Sequence, residues 1–218
     1  MNNALQTLLE VAHHIGVKHP EIKSSLSEIV FNGMGDWLSR GFSVPCPKFV
    51  KDAVLMRQNL SNSTWIETGT LHGDTTQILA QIATKVFTIE PEPSLFAKAK
   101  VRFSGNPKVE VINDISENAL SPILQNVEGN VCFSLDGHYS GGTTFAGPND
   151  TPLVQELIQI ETQLHRFTEI MIAIDDVRFC GRRHAYGEYP SLDYLVDWSR
   201  KHSLSWNIEY DIFIAKTT

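Results

Sequence analysis

Carboxylates recur at matched places along this chain. Glu67, Glu90, Asp114, Asp136 and the pair Asp175 and Asp176 each close a short apolar run: STWIET, KVFTIE, KVEVIND, NVCFSLD and EIMIAIDD. The first lies in TWIETGTLHGDTT, residues 64–76, where Gly69 and Gly73 separate the acid from a Thr-Thr pair that opens a helical pattern. Glycine permits positive φ and close approach of backbone to ligand, and the first N–H groups of a helix offer unpaired donors. Such a turn suits a nucleotide-type ligand. The acid beside it argues against a phosphate and for a group that is polar or cationic at that point.

The other acids extend the pattern. Glu90 stands where a carboxylate can accept both hydroxyls of a ribose, and Asp114, in NDIS, where a base edge can be read. A strand end that reaches solvent also favours a charged residue, so each acid alone has a plainer account. The three together, with glycines in the first turn, point to a dinucleotide or adenosine site. Asp136, Asp175 and Asp176 form a second set. Three carboxylates at neighbouring strand ends repel one another unless a cation or strong donors lie among them. A hard divalent ion with oxygen ligands, Mg²⁺ above all, meets that need. The alternative is that Asp136 and Asp175 cap the turns that follow them.

These residues need elements to position them, and the periodicity supplies them. Strands are predicted over 63–68, 85–90, 108–114, 130–136 and 169–176, and helices over 74–84, 93–103, 116–127 and 151–165. Strands alternating with helices predict right-handed βαβ units and a mainly parallel sheet covered on both faces, with ligands bound at the carboxyl ends of the strands. After a helix over 192–202, SLSWNIEY and DIFIAKTT leave no room for a crossover helix and predict an antiparallel hairpin. Ahead of the sheet, residues 2–14, a weaker pattern over 22–31, and 47–60 read as helices. Gly33, Gly35, Gly41, Pro45 and Pro47 break the stretch between the last two into loops. The expected organisation is a helical N-terminal cap, 1–60, and one α/β domain, 61–218. Ser191, after Pro190, reads as the N-cap of the helix at 192.

Bulk properties narrow the partners. With 18 basic against 25 acidic residues the formal charge is −7, which gives no electrostatic footprint for nucleic-acid binding and lowers that expectation without removing it. Cys46, Cys132 and Cys180 are odd in number and form no C-x-x-C pair, which suits reduced thiols in the cytoplasm. No apolar run approaches 18 residues, so no membrane span is expected. The expected partner is a small molecule, with nucleic acid the weaker expectation and a second copy of the chain a further candidate.

ETGTLHGDTT, followed about twenty residues on by IEPEP, then VINDIS and a seven-strand pattern closing in a hairpin, resembles the class I S-adenosylmethionine-dependent methyltransferases. Thr replaces one of the family's loop glycines, as in the O-methyltransferase branches. That also weakens a G-x-G-x-x-G reading for a nicotinamide-dependent oxidoreductase. The resemblance implies a Rossmann-like sheet. It assigns S-adenosylmethionine contacts to Glu67, Thr68, Gly69, Thr70, Gly73 and Thr75, to Glu90, to Asp114 with Ile115, and to Asp136. Asp136, Asp175 and Asp176 resemble the metal ligands of the catechol and macrocin types, which implies Mg²⁺-assisted methylation of a hydroxyl on a small molecule, such as a sugar or glycan precursor. A metal-bound hydroxyl is acidified and oriented. Asp136 or His138 could take its proton, although a His in such a loop also suits hydrogen bonding to substrate. Tyr139, Arg178, Arg182 and His184 are the candidate substrate contacts, with a solvated surface loop as the alternative. Proteins similar to the macrocin type also act in cephalosporin hydroxylation, and a non-catalytic S-adenosylmethionine- or S-adenosylhomocysteine-binding module is the reading from another class.

Overall fold

The computed structural model describes residues 33–136, 151–181, 183–184 and 187–218, without the side chains of 183, 184, 187 and 188. Two compact units divide the chain, Met1–Val50 and Lys51–Thr218. In the first, residues 33–39 are helical where glycines predict loop. The indole of Trp37 is buried and donates to Ser43 O at 3.0 Å, Phe42 packs edge-on against it, and Arg40 pairs with Asp36 one turn back. Local side-chain contacts thus outweigh the roughly 1 kcal/mol that a glycine costs in a helix, and Gly41, at φ 65°, marks the stop. The predicted helices over 2–14 and 22–31 lie outside the described residues.

In chain order the elements are α1 (Lys48–Gln58), β1 (Thr64–Thr68), α2 (Asp74–Ile82), β2 (Lys85–Ile89), α3 (Pro93–Arg102), β3 (Val109–Ile112), α4 (Ser116–Leu124), β4 (Gly129–Leu135), α5 (Leu153–Gln163), β5 (Phe167–Ile174), β6 (Arg183–His184), β7 (Gly187–Glu188), α6 (Leu192–Lys201), β8 (Ser205–Glu209) and β9 (Ile212–Lys216). Seven strands form one sheet in the order β3-β2-β1-β4-β5-β9-β8, while β6 and β7 pair separately. The first five strands of that order are parallel, and β9 and β8 close the sheet as an antiparallel hairpin, as the sequence pattern predicts.

Alternation along the strands explains why both faces are covered. Ile66, Phe133, Ile172 and Phe213 belong to one buried cluster with residues of α4, α5 and α6. Their chain neighbours Trp65, Cys132, Met171 and Ile214 belong to another, with Val54 and Leu55 of α1 and Leu79 and Ala80 of α2. Successive side chains of a strand point to opposite faces, and each fully buried large apolar side chain contributes about 1.5–3 kcal/mol. The Trp65 indole N–H is not orphaned by its burial, because Asn59 Oδ1 accepts from it at 2.7 Å. None of the three cysteines is in a disulfide. No described helix is long and apolar enough to cross a membrane.

Candidate functional site

The parallel register sets the level of the site. Thr68 at the end of β1 lies beside Ile89 of β2 and Leu135 of β4, and Leu135 lies beside Ile174 of β5. Asp136 and Asp175, the next residues, therefore emerge together from the carboxyl edge. Strand order reverses between β1 and β4, since β1 connects onward to β2 on one side and β4 to β5 on the other. That switch point is where open α/β sheets bind ligands. Asp136 crosses it: its N–H reaches Thr68 O at 3.3 Å and Thr68 Oγ1 at 3.2 Å.

The glycine turn is anchored on both flanks. Glu67 is only 2% exposed, and its Oε2 accepts from the hydroxyls of Thr76 in α2, at 2.5 Å, and of Thr88 in β2, at 2.7 Å. Thr70 Oγ1 lies 2.5 Å from Thr88 Oγ1. Since Thr88 gives its single hydroxyl proton to Glu67, Thr70 is the donor between them. The N–H groups of Gly69 and Thr70 reach Ile89 O. From α3, Arg102 bonds His72 O at 2.5 Å and Asp74 Oδ1 at 2.7 Å. Gly73, at φ 79°, is the N-cap of α2, and a Cβ there would lie 2.7 Å from the Phe103 ring. Both the backbone and the space require glycine. Thr75 follows, half-buried, in the first turn of α2.

Glu90 ties the turn to the end of β2. Its Oε2 accepts from Leu71 N at 2.8 Å and its Oε1 from Glu92 N at 3.0 Å. Burial raises its pKa, against the lowering by those two N–H groups. Each carboxylate oxygen has a second lone pair, so the carboxylate can still accept from the two hydroxyls of a ribose. Asn113 secures the neighbouring strand end by donating to Glu90 O at 2.8 Å. Asp114 is exposed, and its Oδ1 accepts from Ile115 N and Asn118 Nδ2 at the start of α4. Glu67, Gly69, Thr70, Gly73 and Glu90 thus form one bonded cluster. Asp114 and Ile115 stand two strands from β1, reached through Asn113.

The second acidic set is differently composed from the sequence expectation. Oxygens of Asp175, Asp176 and Asp211 lie within 4.8 Å of one another, and Asp211 comes from the β8–β9 turn. Two protein cations lie among them. Lys51 of α1 bonds both oxygens of Asp175, at 2.7 and 2.5 Å, and lies 3.5 Å from Asp176 Oδ1. Arg178 bonds Asp176 Oδ1 at 2.5 Å and Asp211 Oδ2, and its guanidinium lies 4.3 Å from the Phe179 ring centre. Burial and then the Asp136 charge push Asp175 up to about 6, although Lys51 counteracts them. Burial works against the Lys51 charge, but Asp175, Asp176 and Asp136 outweigh it and raise the ammonium pKa. The repulsion that made a divalent ion attractive is therefore relieved from within the chain. With these cations in place, the three carboxylates are already paired with positive charge.

Between the ends of β4 and β5 and the start of α5 opens a cleft lined by Leu135, Asp136, Leu153, Glu156, Asp175 and Tyr189, among others. Glu156 is 1% exposed, and its Oε1 has no hydrogen-bond partner among the described residues. Burial pushes its carboxyl up to about 7, and the nearby Ser116 and Thr68 hydroxyls offset only part of that. Lys51, Asp211 and Glu156 carry no local motif and were not singled out by the sequence. The one available signal was Glu156, an acid on the apolar stripe of an otherwise amphipathic helix. Ser191 caps α6 as predicted, accepting from Tyr194 N at 3.1 Å. His138, Tyr139 and Arg182 lie outside the described residues, as does the side chain of His184, whose backbone is in β6.

Two solved structures are similar over most of the chain. The N-methyltransferase NodS from Bradyrhizobium japonicum WM9 is 15% identical, with a TM-score of 0.50 over 78% of this chain and 94% of its own. A conjectured rRNA methylase from Clostridium thermocellum is 11% identical, with a TM-score of 0.51 over 76% of this chain and 93% of its own. This is the class I methyltransferase fold. No family model matches the sequence, and no curated protein matches it.

Proposed function

We propose that the chain is an S-adenosylmethionine-dependent methyltransferase acting on a hydroxyl of a small molecule, such as a sugar or glycan precursor. The observation that carries this reading is the bonded cluster of Glu67, the glycine turn and Glu90 at the switch point, with Asp136 joined to Thr68 across it. In this reading the turn from Gly69 to Gly73 and the first N–H groups of α2 hold the methionine end. Glu90 receives the ribose hydroxyls, and Asp114 with Ile115 meets the adenine edge. The cofactor supplies a methyl group made electrophilic by a sulfonium. Asp136, exposed at the carboxyl edge, accepts the hydroxyl proton, and His138 is the other candidate base. The acidic balance of the chain favours a small acceptor over a polyanionic one.

Mg²⁺ is a second reading of the aspartate cluster, favoured by the 4.8 Å grouping of three carboxylates. It requires Lys51 and Arg178 to turn away. Calorimetric titration with S-adenosylhomocysteine, with and without Mg²⁺, tests both readings. Micromolar binding supports the cofactor assignment, and no binding defeats it. Affinity and thermal stability unmoved by Mg²⁺ leave Lys51 and Arg178 as the counter-charges and remove the metal.

A further inference from the structure

At one end of the sheet, β8 is an edge with no strand beyond it among the described residues. Trp206 and Ile208 are 39% and 40% exposed there. They share a face, because their register partners across the hairpin, Ala215 and Phe213, both belong to the cluster that packs against α4, α5 and α6. Trp206 stacks on the Phe213 ring, with 5.8 Å between centres and 9° between planes, so its position is set within the chain.

The two edges of the sheet are built differently. β3, at the far edge, follows Pro107 and Lys108 and carries the exposed Glu110, paired with Lys85. Proline and charge are devices that stop an edge from pairing with another chain. β8, SWNIE, has no proline and no lysine, and its register with β9 runs unbroken from Ser205 to Glu209. Its single charge is matched, since Glu209 accepts from Arg57, Gln58 and Asn207. In a chain of formal charge −7, this edge is one that a second copy can approach without repulsion between β8 strands.

The backbone sets which partner fits. Tyr210 and Asp211 form a two-residue turn flanked by the paired residues Glu209 and Ile212. A hydrogen bond between the flanking residues closes such a turn, and bonded pairs alternate along an antiparallel ladder. Ser205, Asn207 and Glu209 therefore bond inward to β9, and the N–H and C=O groups of Trp206 and Ile208 face outward. A second β8, laid antiparallel about a twofold axis at Asn207, meets those groups in register. Trp206 of each copy then lies opposite Ile208 of the other, an aromatic against a β-branched side chain, and Ser205 lies opposite Glu209. No like charges face each other.

We propose that β8 is a dimer interface, pairing antiparallel with β8 of a second copy and joining the two sheets into one. A twofold contact needs a single self-complementary surface, and the Asn207-centred register supplies it. A strand of another protein would meet the same backbone groups without that match of side chains. The contact is small, which places its affinity in the micromolar range. The pairing goes beyond the methyltransferase reading and does not depend on it.

Sedimentation equilibrium of the full chain, from micromolar to submillimolar concentration, is expected to show reversible dimerisation. Ile208→Lys puts a charge on the exposed edge and should weaken the dimer at least about tenfold, with thermal denaturation reporting that the variant folds. Cysteine pairing reads the register. At the axis the two copies of residue 207 form a non-hydrogen-bonded pair, about 4.5 Å between Cα atoms, within reach of a disulfide. The two copies of residue 205 are four positions apart along the strands, roughly 13 Å or more. Under mild oxidation Asn207→Cys should give a disulfide-linked dimer on a non-reducing gel, while Ser205→Cys and wild type do not. A monomer at every concentration, undiminished dimerisation of folded Ile208→Lys, or crosslinking no greater in Asn207→Cys than in Ser205→Cys overturns the proposal.

Discussion

Lys51 and Asp175, 124 positions apart, form a two-pronged ion pair in which one ammonium bonds both oxygens of the carboxylate at 2.7 and 2.5 Å. The pair fastens α1 to the end of β5 and places a protein cation where the sequence reading places Mg²⁺. Its side chains are 20% and 18% exposed, so solvent screens it only in part.

Lys51→Met removes the cation and leaves Asp175 beside Asp136 and Asp176 without it. The variant is expected to lose about 1–3 kcal/mol, less than a fully buried broken pair, read as a lower urea midpoint. A Lys51→Arg control should recover most of the loss.

Gly73→Ala tests the turn. The left-handed backbone costs a residue with a Cβ about 1–2 kcal/mol, and the new atom would meet the Phe103 ring at 2.7 Å. The melting temperature should fall by at least about 4 °C. Gly105→Ala, with open space around the added carbon, should leave it within a degree or so.

Glu90→Gln replaces one oxygen with an NH₂ group that cannot accept from Leu71 N or Glu92 N. S-adenosylhomocysteine affinity should fall about tenfold to a hundredfold, in keeping with lost hydrogen bonds to a charged group. Calorimetry reads this directly. An unchanged affinity would remove Glu90 from the cofactor contacts.

Glu156 gives the fold a pH dependence of definite sign. Its carboxyl shifts from the ordinary 4.5 in the unfolded chain to about 7 in the fold. Between those values the native state holds the proton more tightly. Its stabilising contribution is therefore complete below about pH 4.5 and is lost as the pH rises through 7. The loss amounts to about 3 kcal/mol, and the neighbouring Glu117 and Asp136 act in the same direction. Urea midpoints of wild type and Glu156→Gln at pH 5 and pH 8 should show it: wild type weakens at the higher pH relative to the variant.

Much of this was legible in the sequence because it is local. Alternating apolar runs specify β1 to β5, the short spacing between SLSWNIEY and DIFIAKTT specifies the hairpin, and the acids at 67, 90, 114, 136 and 175 fall at strand ends as read. What was not legible is long-range. Lys51 sits in an ordinary helical pattern, and nothing near it in sequence announces Asp175. Asp211 reads as a turn residue until the hairpin carries it to Arg178, whose backbone and side chain it both accepts from. Glu156 looks like a surface acid until α5 turns it toward Thr68 and Ser116. The helix over 33–39 was hidden because Gly33 and Gly35 read as breakers, whereas the burial of Trp37 decides the outcome.

The clasp of Arg102 on His72 and Asp74, added to the bonds from Glu67 and Glu90, has a kinetic consequence. A turn fastened at both flanks before any ligand arrives has little left to arrange on binding. Association should therefore follow a single step, linear in ligand concentration, with an enthalpy free of any cost of loop ordering.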